Sequence, residues 1–315
     1  MTSASRRPAR VLLIQLRRLG DVLLTTPLLD DLHAAFPSAR TDFLVGRAAA
    51  PLLEGLSLGG ERIVYDRDRP WAMARRIRER CYDWIVDVQS NPRTAMLSRL
   101  SGAPIRVGWQ VRGWAWVYTH LLSRTGRPIE YVVRERRRLL ELLGVPPLDT
   151  RPRLMLTAAE RAAGEERLRV AGALPGVARV GLVLSSGEPT REWRVEGFAT
   201  VADSIAAAGL KPIIFQNPGD DEKVARLRSL SSAGIVAAIP DLREFLGALS
   251  SCRALVSGDT GPAHMAAALG VPTVTIYGSQ SAVAWNPGLP TSLALQGRET
   301  SAESVLARLF TLLPP

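Results

Sequence analysis

Lysine is almost missing from this 315-residue chain: Lys211 and Lys223 stand against 38 arginines. A phosphate-gripping P-loop needs Gly-Lys-Ser or Gly-Lys-Thr, and neither lysine follows a glycine, so that route to nucleotide binding is excluded. Histidine occurs three times, at His33, His120 and His264, spaced too widely for a His-Glu-x-x-His zinc helix. Cysteine occurs twice, at Cys81 and Cys252. Two thiols cannot staple a chain of this length or build a cysteine-rich metal centre, and they fit a reducing cytoplasm. No apolar run approaches the ~18–20 residues that cross a bilayer. The short run Val11-Leu12-Leu13-Ile14 ends at Gln15 and Arg17, which reads as a first strand rather than a signal peptide. No Gly-x-Gly-x-x-Gly follows a strand, which weakens a nicotinamide-dependent reading.

What is present is the mix of a soluble globular enzyme, with 46% hydrophobic and 22% charged residues. The net charge of +10 is unevenly placed. Residues 1–150 carry 24 arginines against 15 acids, whereas residues 151–315 carry 16 basic residues against 15 acids. A basic half implies an anionic partner: a phosphorylated substrate, a membrane surface or nucleic acid. A solvated arginine-rich surface set by composition alone is the alternative.

Strand, turn and helix alternate throughout. In the first half, strands are expected near 10–16, 41–46, 62–65, 83–88 and 104–108, with helices near 21–36, 47–56, 71–81, 92–101 and 134–143. The stretch PPLDTRPR at 146–153 punctuates the chain. In the second half, strands are expected near 179–185, 211–216, 234–237, 254–257, 273–277 and 292–295. Helices are expected there near 157–171, 195–209, 219–231, 241–250, 262–269 and 301–312. The strands are apolar on both faces, as buried parallel strands are. The expected class is therefore α/β: two doubly wound, Rossmann-like domains over residues 1–150 and 151–315, facing each other across a cleft.

Two segments carry chemistry. The first, Arg17-Arg18-Leu19-Gly20-Asp21, follows the first strand, where a doubly wound sheet opens on its ligand crevice. Gly20 permits a tight turn. Asp21 either caps the helix or presents its carboxylate to the crevice. The second, Ser257-Gly258-Asp259-Thr260-Gly261-Pro262-Ala263-His264, runs from a strand through a Gly/Asp/Thr turn into a helix with proline in its first turn. Unpaired N–H groups and the positive end of the helix dipole make that turn a seat for a diphosphate.

Together these segments resemble glycosyltransferase family 9, the ADP-heptose:lipopolysaccharide heptosyltransferases. The resemblance rests on "RVLLIQLRRLGDVLLTTPLLDDLHAAFP" and "VSGDTGPAHMAAALGVPTVTIYG", with support from "DWIVDVQSNPRTAMLSRLSGAPIRVGW" and "REW" at 191–193. It implies a GT-B fold, with the acceptor on the N-terminal domain and a nucleotide-sugar on the C-terminal one. It implies inversion at the anomeric carbon, no metal and no cofactor, the nucleotide-sugar being a substrate. Asp21 takes the place of the family's general base. Arg191 stands where a lysine usually contacts the donor phosphates. Ser185 and Ser186 would supply hydroxyls to those phosphates, and Glu222, or its neighbour Asp221, would hold the ribose. Thr260, Gly261 and His264 match the diphosphate turn, with Asp259 ordering it. Arg17, Arg18, Gly20, Arg93, Arg106 and Arg112 fall on the acceptor side. The chain departs from the family at Arg194, Glu130 and the 279–285 loop.

The partners so implied are a nucleotide-sugar donor and a phosphorylated glycan or lipid-linked acceptor. The location implied is the cytoplasm, with peripheral contact at the inner, anionic face of the cytoplasmic membrane. A GT-B nucleotide-sugar epimerase would use the same diphosphate seat without an acceptor. A nucleic-acid binder would use the basic half, but aromatics are only 6% and no reading motif is present, so no nucleic acid is expected.

Overall fold

The computed structural model describes residues 7–174 and 176–313. Residues 1–6, 175, 314 and 315, which the domain ranges above include, lie outside them. The chain divides into two compact units, Met1–Arg153 and Leu154–Pro315.

The first unit is a six-stranded parallel sheet. Its strands are β1 (Arg10–Gln15), β2 (Arg40–Gly46), β3 (Arg62–Tyr65), β4 (Trp84–Asp87), β5 (Ile105–Trp109) and β6 (His120–Leu122), in the order β3-β2-β1-β4-β5-β6. Val11 pairs with Thr41 on one side and Trp84 on the other. Val11, Leu12, Leu13 and Ile14 are all fully buried, because β1 is central and covered on both faces. The helices are α1 (Leu19–Leu23), α2 (Pro27–Ala35), α3 (Pro70–Glu79), α4 (Pro92–Leu100) and α5 (Val132–Glu141). Leu12 and Ile14 pack with Leu44, Ile63 and Ile85 against Met73 and Ile77 of α3 and Leu97 of α4.

The second unit repeats the plan. Its strands are β7 (Arg179–Val183), β8 (Lys211–Gln216), β9 (Ile235–Ala238), β10 (Ala254–Gly258), β11 (Thr273–Tyr277) and β12 (Ser292–Gln296). Their order, β12-β11-β10-β7-β8-β9, is the same doubly wound order read from the other edge. The helices are α6 (Ala158–Val170), α7 (Val195–Ala207), α8 (Asp221–Leu230), α9 (Leu242–Ser250), α10 (Gly261–Ala268), α11 (Ala282–Trp285) and α12 (Ala302–Leu312). Val180, Leu182, Ile214, Val256, Val274 and Ile276 face Phe198 and Val201 of α7 and Val305 and Leu309 of α12. No helix among the described residues is long and apolar enough to cross a membrane.

Three expectations are corrected. The single helix expected over 21–36 is broken into α1 and α2. Pro27 cannot donate a backbone hydrogen bond, so it opens a new helix instead of continuing the old one. The helix expected over 47–56 is a 3-10 segment, Arg47–Leu53, with Pro51 inside it. The short β6 and α11 were not expected at all.

The less exposed of two ion pairs between α6 and α9 joins Glu160 to Arg243. Glu160 closes the capping box of α6 with Thr157, and Arg243 of α9 donates to both its carboxylate oxygens at 2.7 and 2.8 Å. These Arg243 bonds, with help from Thr157, hold the Glu160 carboxyl at about 2, against the ordinary 4.5. Its stabilisation is therefore complete above pH 4.5 and is lost as pH falls towards 2. Chemical denaturation from pH 5 down to 2 should show a shallower acid loss for Glu160→Gln than for the parent chain. Parallel curves would mean that the pair adds nothing.

Candidate active site

In a doubly wound sheet the strand order reverses at one point, and ligands bind beyond the carboxyl ends of the strands there. In the first unit that point lies between β1 and β4. The chain leaves β1 through residues 16–18. Arg18 has φ +60° and precedes α1 as its N-cap. Asp21 is therefore not a helix cap; it sits in the first turn of α1. Its Oδ1 accepts a hydrogen bond from Nη2 of Arg136 on α5. Nη1 of the same guanidinium donates to the Asp21 carbonyl at 2.6 Å and to Thr25 Oγ1 at 3.0 Å. The Arg136 side chain is 6% exposed and that of Asp21 20%, so the acid faces solvent over a buried cation. Arg124 lies over the Trp109 ring, 4.2 Å from its centroid, and its charge reaches Asp21. A cavity of about 500 Å³ opens beside β3, lined by Arg47, Arg69 and Arg76 together with Glu54 and Asp66.

At the end of β4 the Asp87 carboxyl is fully buried. Burial lifts it to about 6, against the opposing hydrogen bonds from the Ser90 backbone and the Tyr118 hydroxyl.

In the second unit the order reverses between β7 and β10. Thr260 is the N-cap of α10, yet its side chain makes no capping bond. Its hydroxyl is buried and has no hydrogen-bond partner. Such a group costs about 1–3 kcal/mol unless something satisfies it. Arg191 approaches the same turn, with Nη1 3.7 Å from Asp259 Oδ2 and Nε 3.2 Å from Glu188 Oε2. Its backbone packs tightly on two glycines. A Cβ on Gly278 would lie 2.5 Å from the Thr190 carbonyl, and one on Gly258 would lie 3.1 Å from that of Arg191. His264, one turn into α10, has Nε2 3.9 Å from Asp259 Oδ1, and its ring centroid is 6.0 Å from that of Trp285. A cation, a helix N-terminus and an unsatisfied hydroxyl thus converge on one turn, which is the chemistry of an anion seat.

The sequence model of glycosyltransferase family 9 (heptosyltransferase) matches residues 70–305. The chain belongs to glycosyltransferase family 9. As a family 9 glycosyltransferase it has relatives of known name. It is 25% identical over 287 residues to lipopolysaccharide heptosyltransferase 3 of Escherichia coli, covering 85% of this chain and 83% of that one. It superimposes on the crystal structure of the glycosyl transferase family 9 protein from Veillonella parvula with a TM-score of 0.86, at 25% identity over 97% of each chain. It superimposes on the E. coli ADP-heptose lps heptosyltransferase II with a TM-score of 0.84, at 20% identity over 96% of this chain and 98% of that one. The fold is GT-B.

The structure brings Arg191, Asp259, Thr260, Gly261 and His264 together. Ser185 and Ser186 lie beyond β7, with both hydroxyls engaged inside the protein. Ser185 Oγ donates to Asp220 at 2.9 Å, and Ser186 Oγ donates to the Glu188 carbonyl at 2.6 Å. Glu222 is exposed on the first turn of α8, and its neighbour Asp221 accepts from Gln216 Nε2 at 2.6 Å. Gly20 is buried beside Asp21, and Arg17 and Arg18 are exposed on the loop before it. Arg93 is exposed on the first turn of α4, 5.8 Å above the Tyr65 ring, and Arg112 is exposed beyond β5. Arg106 is not brought to the site. It lies near the start of β5, away from the carboxyl ends, and its guanidinium donates to the Val117 and Ala103 carbonyls at 2.7 and 2.5 Å.

Sequence reasoning missed Arg136, and also Glu192, whose Oε1 accepts from the Ser186 backbone at 3.1 Å and from Lys223 at 2.6 Å. A signal for Arg136 was present. Val132, Val133, Arg136, Leu139 and Leu140 fall on one face of α5, and a cation inside an apolar stripe demands an acid to meet it.

Arg136→Lys keeps the charge but loses the fork that reaches three acceptors at once. The variant should lose about 2–3 kcal/mol of stability in urea denaturation, the scale of charge-assisted bonds at a buried site. A loss below about 0.5 kcal/mol, as at an ordinary surface position, would deny Arg136 that role.

Proposed function

We propose that this glycosyltransferase moves a heptose from ADP-heptose to a phosphorylated acceptor of the lipopolysaccharide core, with inversion and without a metal ion. The observation that carries the donor side is the convergence of Arg191 and the buried, unsatisfied Thr260 hydroxyl at the N-terminus of α10. The names of the relatives, lipopolysaccharide heptosyltransferases and an ADP-heptose enzyme, support the choice of sugar and nucleotide.

In this reading Asp21 removes the proton from an acceptor hydroxyl, whose oxygen attacks the anomeric carbon. The bond from that carbon to the phosphate oxygen breaks, and the nucleoside diphosphate leaves with its charge. Arg191 and the α10 N-terminus meet that charge as it develops, in place from the start, which is the work a metal would otherwise do. Arg136 holds the Asp21 backbone and one carboxylate oxygen, leaving Oδ2 to take the proton. The arginine-lined cavity beside β3 suits an anionic group of the acceptor. The basic first half fits salt-reversible contact with an anionic membrane carrying that acceptor.

Asp21→Asn keeps the size of the side chain but cannot take a proton. ADP release from ADP-heptose with a truncated lipopolysaccharide acceptor should fall about 10²–10⁴-fold. ADP affinity should be unchanged, since the residues read as the donor seat belong to the second unit. Wild-type turnover would remove Asp21 from the mechanism.

Thr260→Val separates ligand binding from folding. Deleting a buried hydroxyl that has no partner should leave the melting temperature of the free protein unchanged or higher. The same variant should bind ADP more weakly by calorimetry. Undiminished ADP affinity would argue that no phosphate meets this hydroxyl.

A further inference from the structure

The middle stretch of the first unit, Asp87-Val88-Gln89-Ser90-Asn91, has no role in the reading above, yet it is densely hydrogen-bonded. It leaves β4 at the point where the strand order reverses. Asp87 Oδ1 accepts from the Ser90 and Gln89 backbone N–H groups at 2.8 and 3.2 Å. Asp87 Oδ2 accepts from the Tyr118 hydroxyl at 2.7 Å. Ser90 Oγ donates to the Asp87 carbonyl at 2.8 Å and accepts from the Trp109 backbone at 2.9 Å. These bonds hold Ser90 at φ +49°, a conformation that a side chain other than glycine adopts only under constraint. A Cβ on Gly108 would lie 2.6 Å from the Tyr118 ring and 2.8 Å from Ser90 Oγ, so the cluster closes only because that position is glycine.

The turn aims one side chain across the sheet. Gln89 Oε1 accepts from the backbone N–H groups of Leu16 and Arg17, at 2.8 and 2.9 Å. Gln15 Nε2 donates to the Arg17 carbonyl at 3.1 Å. Both polar groups of the Arg17 backbone are therefore gripped just before Arg18 turns at φ +60° into the helix that carries Asp21. A glutamine amide oxygen has two lone pairs, and both are used on one stretch of main chain.

We propose that Gln89 is a positioning residue for transfer: its amide oxygen clasps the 16–17 backbone and so sets where α1 presents the Asp21 carboxylate. The buried Asp87–Ser90–Tyr118 cluster is the mount that keeps Gln89 in place. The proposal rests on the reading of Asp21 as the base.

The test uses the full chain, with ADP-heptose and a truncated lipopolysaccharide acceptor as probes and ADP release as readout. Gln89→Met keeps the length and removes the acceptor. Gln89→Asn keeps the amide but falls short of the 16–17 backbone. Gln89→Glu keeps the reach and both accepting lone pairs. Met and Asn should each lower kcat about 10–100-fold, the scale of an ångström's misplacement of a reacting group. The KM for ADP-heptose should not move, and Glu should stay within about threefold of the parent. Should the Met variant fail to fold, Asn carries the comparison. Asp21→Asn run in parallel tests the base reading by itself, and the double variant Asp21→Asn with Gln89→Met tests the link. If Gln89 acts through Asp21, the double variant is no slower than Asp21→Asn alone. Full kcat in Met and Asn, equal loss in Glu and Met, or a double variant slowed by the product of the two effects would each overturn the proposal. An active Asp21→Asn would instead overturn the base reading on which it stands.

Discussion

A guanidinium removed from water must be met by an acid, and in the first unit two adjacent ones are. Arg136 and Arg137 both point from α5 into the protein, 6% and 8% exposed. Arg136 binds Asp21 on α1, and Arg137 binds Asp31 on α2 at 2.8 Å. The two helices that follow β1 are thereby held to α5 by neighbouring residues, one on each side of the break at Pro27. Arg137 also donates to the Thr150 hydroxyl at 2.5 Å, and Asp31 accepts from the Leu148 backbone at 3.0 Å. One turn of α5 thus fixes Asp21, the helix behind it and the segment that leaves the unit. Burial pushes the Asp31 carboxyl above its usual range, while Arg137 pulls the other way. Taking away one partner of such a pair leaves a buried charge unanswered, so neither arginine is replaceable singly at low cost.

The second unit solves a different problem with the same sheet. It gathers polar groups from three separate loops at one turn. Arg191 comes from the segment after β7, Asp259 and Thr260 from the end of β10, and the Gly278 contact from the end of β11. Parallel neighbouring strands deliver those loops to the same edge of the sheet, so residues up to about ninety positions apart meet with little backbone strain. Glu192 extends the arrangement by linking the Ser186 backbone to Lys223 of α8.

Much of the fold was readable because parallel strands covered on both faces are short, uniformly apolar runs, and this chain marks most of them with glycine or proline at the ends. What failed were the elements without such a signature. β6 has three residues and only one of them buried, and α11 is a single turn. At the site, motif residues that are close in sequence were found, from Asp259 to His264. Partners distant in sequence were not. Arg136 lies 115 residues from Asp21, and Gln89 lies 72 from Arg17. Charge counting likewise placed Arg106 on the acceptor side. Net charge does not reveal whether a guanidinium fork faces solvent or the chain's own carbonyls, and this one faces Val117 and Ala103.

The near absence of lysine has a practical side. Only two side-chain amines exist in the chain, at Lys211 and Lys223. Lys223 is 30% exposed and ion-paired at 2.6 Å to Glu192, the residue next to Arg191 in sequence. Amine-directed reagents ignore guanidinium groups at neutral pH, so their side-chain labelling here reduces to two positions, one of them ion-paired to Glu192. Lys223 is thus a chemical handle held against the residue that follows Arg191, in a protein whose 38 arginines are silent to the same reagent.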